Sequence, residues 1–267
     1  MAHLSNQEVQ LVRIFSRWIF YTSLLFLYLP VVVLTVSSFN ASRFSGAWEG
    51  FSFSWYQKLF NEPTIWHALA NSLLVATYSS LLATLLGLTS ALAIHTYSSR
   101  LQKFHLGLLL TPLVMPDILM GICLLFLFIS ISLKLSLFTV FLAHTTFSIS
   151  YVTMIIKTRL ETIDPTILEA ARDLGASSFS LFWKVVLPIL SPAIIAGWLL
   201  AFTLSLDDFV ITFFVVGPGA TTLPVYIYSM MKFGAPPMIN ALSTLILLFT
   251  ALITIVYYRI IEGKQIS

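Results

Sequence analysis

Six long runs of apolar residues dominate this sequence. Each is near or above the roughly 20 residues that a helix needs to cross a hydrocarbon core about 30 Å thick. The runs are continuous rather than alternating, which predicts helices instead of a β-barrel. Only 9% of the residues are charged, against about a quarter in soluble domains. We therefore predict an all-α, polytopic membrane protein, a single transmembrane domain over residues 1–267. The predicted spans are 17–37, 72–96, 104–129, 137–156, 189–216 and 239–260.

The first apolar run could instead be a secretory signal peptide, because Arg13 and Arg17 precede it. A run of about 20 residues is longer than the apolar core of a signal peptide. No small-x-small cleavage motif follows near residues 38–42. We therefore expect a retained transmembrane helix.

The distribution of Lys and Arg predicts the orientation of the spans. Basic residues concentrate on the cytoplasmic side of membrane proteins. Ten lie on the side of both termini: Arg13, Arg17, Arg100, Lys103, Lys157, Arg159, Arg172, Lys184, Arg259 and Lys264. Four lie opposite: Arg43, Lys58, Lys134 and Lys232. Both termini and the loop 157–188 are therefore predicted to be cytoplasmic.

The loop 157–188 contains the local signals of two short helices joined by a glycine. Asp164 can cap a helix that has Pro165 at its first position. Gly175 can adopt the left-handed conformation that ends this helix, and Ser177 or Ser178 can cap the next. Leu187 and Pro188 are expected to close that second helix before the fifth span.

The first of these short helices is predicted to be amphipathic. Ile167, Ala170, Ala171 and Leu174 recur at helical spacing, whereas Glu169 and its charged neighbours lie off this stripe. Such a helix can dock on another chain. A helix lying among the lipid headgroups is the alternative.

Motifs for nucleotide binding, metal binding and nucleophilic catalysis are missing from the sequence. There is no G-x-x-x-x-G-K-[ST], no H-E-x-x-H and no G-x-S-x-G. We interpret the five histidines as structural residues. The sequence thus predicts no catalytic residue and no metal site.

Three acidic residues lie inside predicted spans: Asp117 in the third, and Asp207 and Asp208 in the fifth. An Asp at the centre of a membrane helix costs roughly 2.5 to 3.5 kcal/mol on insertion scales, so such residues usually face a bundle interior or an aqueous path. Asp117 and Asp207 are expected at similar depths. We predict that these acids line a solute pathway.

Adjacent helical residues point about 100° apart, so Asp207 and Asp208 can share an orientation only if the helix is broken there. We expect one of them to be structural, in an internal salt bridge or as a helix cap. No basic residue lies inside the third or fifth span, so the counter-charge must come from another chain or the solute. This favours a cationic solute, and Tyr226 is a candidate aromatic contact for it.

The loop motif resembles the coupling loop of ABC importer permeases. It reads E-A-A, three residues, Gly, nine residues, an aliphatic residue, any residue and Leu-Pro. The resemblance implies that the loop docks on a separate ATPase. The implied docking residues are Glu169, Ala170, Ala171, Gly175, Leu187 and Pro188.

Four further segments resemble the permease subunits of spermidine/putrescine ABC transporters: residues 205–209, 217–224, 228–230 and 240–244. The second permease type of that system and the putrescine-specific permease are both similar. The resemblance implies the type I importer architecture and a heterodimer with a second, homologous permease. It also implies two ATPase subunits that use ATP and Mg²⁺, a periplasmic polyamine-binding protein and the lipid of a bacterial inner membrane. No directly bound cofactor and no nucleic acid are expected.

Other functions stay open at this point. The solute could be another organic cation, or a neutral or anionic molecule. A secondary transporter could use Asp117 or Asp207 as a proton or cation relay. An intramembrane aspartyl hydrolase would need a G-x-G-D context, which the sequence lacks.

Overall fold

The computed structural model describes residues 6–42, 47–97, 99–232 and 237–265, and nearly all of them are helical. Within these ranges the β contacts are limited to one isolated bridge between Asn40 and Phe51. The predicted all-α class is confirmed. The helices are α1 (Asn6–Ser37), α2 (Ser54–Phe60), α3 (Pro63–Thr96), α4 (Arg100–Val114), α5 (Asp117–Ser130), α6 (Leu137–Glu161), α7 (Pro165–Asp173), α8 (Ser178–Leu181), α9 (Leu187–Asp207), α10 (Val210–Val215), α11 (Leu223–Lys232) and α12 (Met238–Gln265).

Each of the six predicted spans coincides with a helix or a broken helix. Among the described residues, four helical stretches are long and apolar enough to cross a membrane, and a bent pair would make a fifth. The apolar described part of α12, Met238–Leu252, is shorter. The four stretches are Arg13–Ser37, Pro63–Thr96, Leu137–Glu161 and Ser178–Asp207.

The predicted third span, residues 104–129, is broken into two helices. Its two halves, α4 and α5, are bent by 118° relative to each other. Met115 and Pro116 both have extended backbones between the halves. Proline has no N–H for a helical hydrogen bond, and it disfavours the helical conformation of the residue before it. The bend therefore follows from Pro116.

The predicted fifth span, residues 189–216, is also interrupted. Helix α9 ends at Asp207, Asp208 has an extended backbone with φ −66° and ψ 120°, and α10 begins at Val210. The prediction that Leu187 and Pro188 end a helix is wrong, because helical structure continues from Ser178 to Asp207.

A π-turn, Phe182–Val186, accommodates Pro188 within this continuous stretch. The N–H of Leu187 donates to the carbonyl of Phe182, five residues back. In a regular helix the proline ring would meet the carbonyl four residues before it. The wider turn removes this clash without ending the helix.

The chain divides into two compact units, one of which comprises residues 64–228. In this unit α3, α6 and α9 meet at Val152. A Cβ atom added to Gly87 would lie 2.7 Å from Cγ1 of Val152, and one added to Gly197 would lie 3.2 Å from it. Small residues let membrane helices approach closely. A second core of the same unit joins α3, α5, α6 and α10, and it includes Val75, Leu124, Phe128, Val140, Ile211 and Val215.

The other unit comprises the described parts of residues 1–63 and 229–267. Here α12 packs against α1 and α2. The indole N–H of Trp55 donates to the carbonyl of Asn40 at 2.9 Å, and the side-chain oxygen of Asn40 accepts from the N–H of Glu49 at 3.0 Å. These bonds tie α2 and Glu49 to Asn40, which follows α1. The apolar stretch of α1 is unburied within the chain.

We expect Gly217→Ala to destabilise the protein strongly. The added Cβ would overlap the backbone carbonyl of Leu135, next to the N-cap of α6. Overpacking costs about 1 to 3 kcal/mol even against side chains, which can move more easily than backbone. A thermal unfolding assay of the detergent-solubilised protein measures the loss. Gly107→Ala in α4 is the matched control, because a Cβ there meets open space; equal melting temperatures for both variants would contradict this prediction.

Candidate functional site

The unit of residues 64–228 contains an acidic cavity of about 300 Å³. The predicted acids Asp117, Asp207 and Asp208 all line it, and no Lys, Arg or His is among its described lining residues. The structure thus brings the three predicted carboxylates to one cavity. The other lining residues are Pro112, Met120, Phe147, Tyr151, Thr203, Leu204, Phe209, Val210 and Ile211.

Two breaks in the helices position these acids. Asp117 is the first residue of α5, directly after the bend at Pro116. Asp207 is the last residue of α9, and Asp208 follows in the extended backbone before α10. An unbroken helix would turn adjacent side chains about 100° apart. The break at Asp208 allows both neighbours to line the same cavity.

Asp117 and Asp207 have exposed side chains. Across the described parts of the chain, neither makes a side-chain hydrogen bond or an ion pair. Bringing two uncompensated carboxylates to one cavity is unfavourable, and a cation between them offsets the cost. Both carboxylates are therefore available to a positively charged ligand.

Asp208 is different, because its carboxylate is engaged by the protein. Its Oδ1 accepts from the N–H of Ile211 at 3.2 Å, and its Oδ2 accepts from the N–H of Thr212 at 2.8 Å. The Thr212 hydroxyl donates to Oδ2 at 2.7 Å. Nε2 of His144 lies 3.2 Å from the same oxygen. Asp208 is thus the structural member of the adjacent pair, as a cap of α10 and a partner of His144.

The prediction that one of the two adjacent acids is structural, in an internal salt bridge or as a helix cap, applies to Asp208, whose carboxylate accepts from two N–H groups of α10. Its further partner His144 lies in the fourth span, α6. Sequence analysis missed this role of His144. The available signal was a histidine inside an apolar span, where polar side chains are usually functional.

The predicted aromatic contact Tyr226 is not among the described residues that line the cavity. Its N–H donates to the carbonyl of Thr222 in the first turn of α11. Tyr228 is not a described lining residue either, but its ring centroid lies 4.4 Å from that of Phe209, which lines the cavity. The aromatic wall at this end of the cavity is therefore Phe209 backed by Tyr228.

The second candidate site is the loop 157–188, where the predicted helix α7 forms. The side chain of Asp164 accepts from the N–H of Thr166 at 2.9 Å, and Pro165 is the first helical residue. Hydrogen bonds from the backbone and then the side chain of Thr166 hold the pKa of Asp164 below its ordinary value. The predicted start of this helix is confirmed.

The predicted end of α7 is also confirmed. Gly175 has φ +81°, the left-handed conformation. Its N–H donates to the carbonyl of Arg172, and the N–H of Ala176 donates to that of Ala171. This pair of bonds is the Schellman motif. Ser177 then caps α8 through the N–H of Ser180 at 3.3 Å.

Helix α7 and the segment after it present an uncovered apolar surface. No residue of α7 is buried, and Glu169 and Ala170 are exposed. Leu174 is 89% exposed and Phe179 is 74% exposed. Ile167 and Trp183 are exposed as well. Leu187 is half-buried, and Pro188 is exposed. We define Ile167, Leu174, Phe179 and Trp183 as the loop surface.

Comparison with known protein families identifies the class of this chain. Residues 83–263 match the family described as "Binding-protein-dependent transport system inner membrane component". The match covers more than half of the chain, so the chain belongs to this family. It is a multi-pass component of the inner membrane in a transport system that depends on a binding protein.

Characterised relatives are similar over most of their length. The chain is 41% identical over 239 residues to the spermidine/putrescine transport system permease protein PotC of Escherichia coli (strain K12), covering 90% of both proteins. It is 42% identical over 229 residues to the putrescine transport system permease protein PotI of the same strain, covering 83% of this chain and 82% of PotI.

The fold is shared with solved ABC transporters. The crystal structure of a bacterial ABC transporter involved in the import of the acidic polysaccharide alginate aligns with a TM-score of 0.71 at 15% identity, over 98% of this chain and 99% of that one. An amino acid ABC transporter aligns with a TM-score of 0.59 at 18% identity, over 77% of this chain and 98% of that one. At these identities the likeness concerns the fold alone, which is that of ABC importer permeases.

Proposed function

We propose that this chain is a permease subunit of an ATP-driven importer that moves spermidine, putrescine or both across the bacterial inner membrane. The single observation that carries the proposal is the acidic cavity, where Asp117 and Asp207 lie without partners among the described residues. The relatives named for polyamine transport favour this class of solute.

The chemistry of the cavity suits a flexible cation with several amino groups. An ammonium group 4 Å from a carboxylate gains roughly 4 kcal/mol at an effective dielectric constant of about 20. Two separate carboxylates can hold two amino groups of one chain-like molecule. The methylene groups of such a molecule suit Met120, Phe147 and Phe209, which line the same space. Another organic cation would fit the same description and is the second candidate solute.

The loop 157–188 supports coupling to a separate ATPase. An apolar surface on a polar loop costs free energy in water, which burial against another chain recovers. We assign Glu169, Ala170, Ala171 and Gly175 to the docking helix, with Leu187 and Pro188 where the loop joins α9. The chain itself is not an enzyme and binds no cofactor directly, because ATP and Mg²⁺ are used by the ATPase.

The proposed assembly contains this chain, a second permease of similar fold, two ATPase subunits and a periplasmic polyamine-binding protein. Both termini and the loop 157–188 are on the cytoplasmic side. Closure of the ATPases on ATP moves α7, and this motion opens the cavity to the solute delivered from outside. Hydrolysis then reverses the motion and releases the solute to the cytoplasm.

Uptake of labelled spermidine and putrescine tests this function. Cells without their own polyamine importers receive this chain with its partner permease, ATPase and binding protein. We expect uptake of at least one of the two amines, and none when the ATPase is inactivated. Failure to take up either amine, in cells where the complex assembles and hydrolyses ATP, would contradict the polyamine assignment. Uptake that persists with the inactivated ATPase would contradict ATP coupling and favour a secondary transporter.

A further inference from the structure

We propose that His144 is a positioning residue of the cavity. With Ser205 and Thr212 it holds Asp208 at the break between α9 and α10, and this arrangement leaves Asp117 and Asp207 as the carboxylates that meet the solute. The inference rests on the proposed function where it concerns the solute. Where it concerns the geometry of the break, it rests on the structure alone.

His144 is completely enclosed by protein and hydrogen-bonded on both sides of its ring. Its side chain is 1% exposed. Nδ1 lies 2.6 Å from Oγ of Ser205, and Nε2 lies 2.8 Å from Oγ1 of Thr212 and 3.2 Å from Oδ2 of Asp208. Ser205 in turn contacts Oγ of Ser79 at 3.1 Å. The ring therefore connects α3, α6, α9 and α10 through polar contacts.

These contacts have a consistent set of donors and acceptors. With the ring proton on Nε2, His144 donates a hydrogen bond to Thr212 and Asp208, and the hydroxyl of Thr212 donates a hydrogen bond to Oδ2 of Asp208. The hydroxyl of Ser205 then donates to Nδ1. Every polar atom of the ring is thereby satisfied, which buried polar groups require.

The carboxylate of Asp208 has little capacity left for a solute. Its side chain is only 10% exposed. Two backbone N–H groups, those of Ile211 and Thr212, and the Thr212 hydroxyl already donate to it, and His144 completes the set. Hydrogen bonds to an ionised acceptor are stronger than neutral ones. Releasing Asp208 to bind a cation would leave several of these donors without a partner, which is costly in a buried site.

The same contacts fix the direction of Asp207. Asp208 connects the last turn of α9 to the N–H groups of α10, and His144 ties this junction to α6. Asp207 is the residue before Asp208. The direction of its side chain therefore depends on the backbone position at the break between α9 and α10. His144 thus acts on the solute through Asp207 rather than by contact.

The test measures transport by the assembled importer carrying His144→Leu, His144→Gln, Asp208→Asn or the double variant His144→Leu/Asp208→Asn. Leu is apolar and of similar size, whereas the amide of Gln keeps a donor near the position of Nε2. We expect His144→Leu to lower uptake about tenfold or more, with a larger effect on the triamine than on the diamine, because it displaces Asp207. We expect His144→Gln to recover most of the loss.

The double variant is expected to be no worse than the more severe single variant, because the two residues act as one pair. His144→Leu/Asp207→Asn should likewise lose little more than the more severe single variant, because His144 acts on the solute through Asp207. The inference is contradicted if the losses of Asp207→Asn and Asp208→Asn multiply in the double variant, since independent losses belong to two carboxylates that each contact the solute. It is also contradicted if His144→Leu transports like the parent.

A reporter that needs no solute separates this inference from the proposed function. Thr203 lines the cavity with an exposed side chain, and Cys123 is the one cysteine of the sequence. In a Cys123→Ser/Thr203→Cys background, we expect His144→Leu to change the rate of thiol labelling several-fold and His144→Gln to leave it near the parent value. Unchanged labelling in His144→Leu would overturn the positioning role even in a complex that imports no polyamine. If His144→Leu does not assemble, Ser205→Ala removes the Nδ1 contact and provides the same comparison.

Discussion

Replacing both Asp117 and Asp207 with Asn is expected to lower the uptake of a triamine at least about 100-fold. Hydrogen bonds to charged groups are worth about 1.5 to 3 kcal/mol, and each 1.4 kcal/mol is a factor of ten. Both carboxylates lie in one cavity without partners among the described residues. Removing either carboxylate should therefore weaken the binding of the solute rather than a contact within the protein. Initial rates over a range of spermidine and putrescine concentrations measure the effect, which should appear mainly as a higher KM.

The matched control is Glu49→Gln, which removes an exposed carboxylate outside both the cavity and the loop 157–188 and keeps the backbone N–H bond to Asn40. Uptake by this variant should stay near the parent level. The single variants Asp117→Asn and Asp207→Asn should each show part of the loss, with a larger effect on the triamine than on the diamine. Parent-like uptake by the double variant, from a complex at normal abundance, would remove these acids from the pathway.

Replacing Gly175 with Val is expected to lower uptake about tenfold or more while the protein stays in the membrane. Gly175 has φ +81°, a conformation that costs most residues about 1 to 2 kcal/mol and a β-branched residue more. A Cβ at this position meets no atom within 4 Å, so the strain is in the backbone. The end of α7 would shift, and Leu174 on the loop surface would shift with it. Solute-dependent ATP hydrolysis and uptake, measured together, should both fall.

Gly175→Asn is the control for this prediction, because Asn adopts the left-handed conformation far more readily than Val. We expect it to transport close to the parent. Equal losses in Gly175→Val and Gly175→Asn would show that the space around residue 175 matters rather than its backbone conformation. Parent-like transport by Gly175→Val would contradict the assignment of this loop to ATPase coupling.

The loop 157–188 was largely predictable because its signals are local. The cap by Asp164, the first-turn Pro165 and the left-handed Gly175 each depend on a few neighbouring residues, and the structure confirms all three. The prediction failed at Pro188 for a physical reason. A proline usually ends a helix, but the π-turn Phe182–Val186 lets this helix continue.

The acidic residues of the cavity were predictable from the sequence, but the contacts between Asp208 and other helices were not. A charged side chain inside an apolar span costs free energy in the membrane, so it usually has a function. This rule alone identifies Asp117, Asp207 and Asp208. Which of the last two was structural depended on His144, 64 residues before Asp208 in the sequence. Contacts over such distances are set by helix packing, which neither spacing nor periodicity encodes. A proline can kink a helix, but the residues around Pro116 do not encode a bend as sharp as 118°.

The most direct test of an ATP-driven polyamine importer uses the purified complex in sealed liposomes with the binding protein and labelled spermidine or putrescine. The account predicts accumulation only when ATP and Mg²⁺ are present at the ATPases, with no accumulation from a proton or sodium gradient alone. Accumulation driven by an ion gradient without ATP would contradict it. A complex that hydrolyses ATP but moves neither amine would contradict the solute assignment.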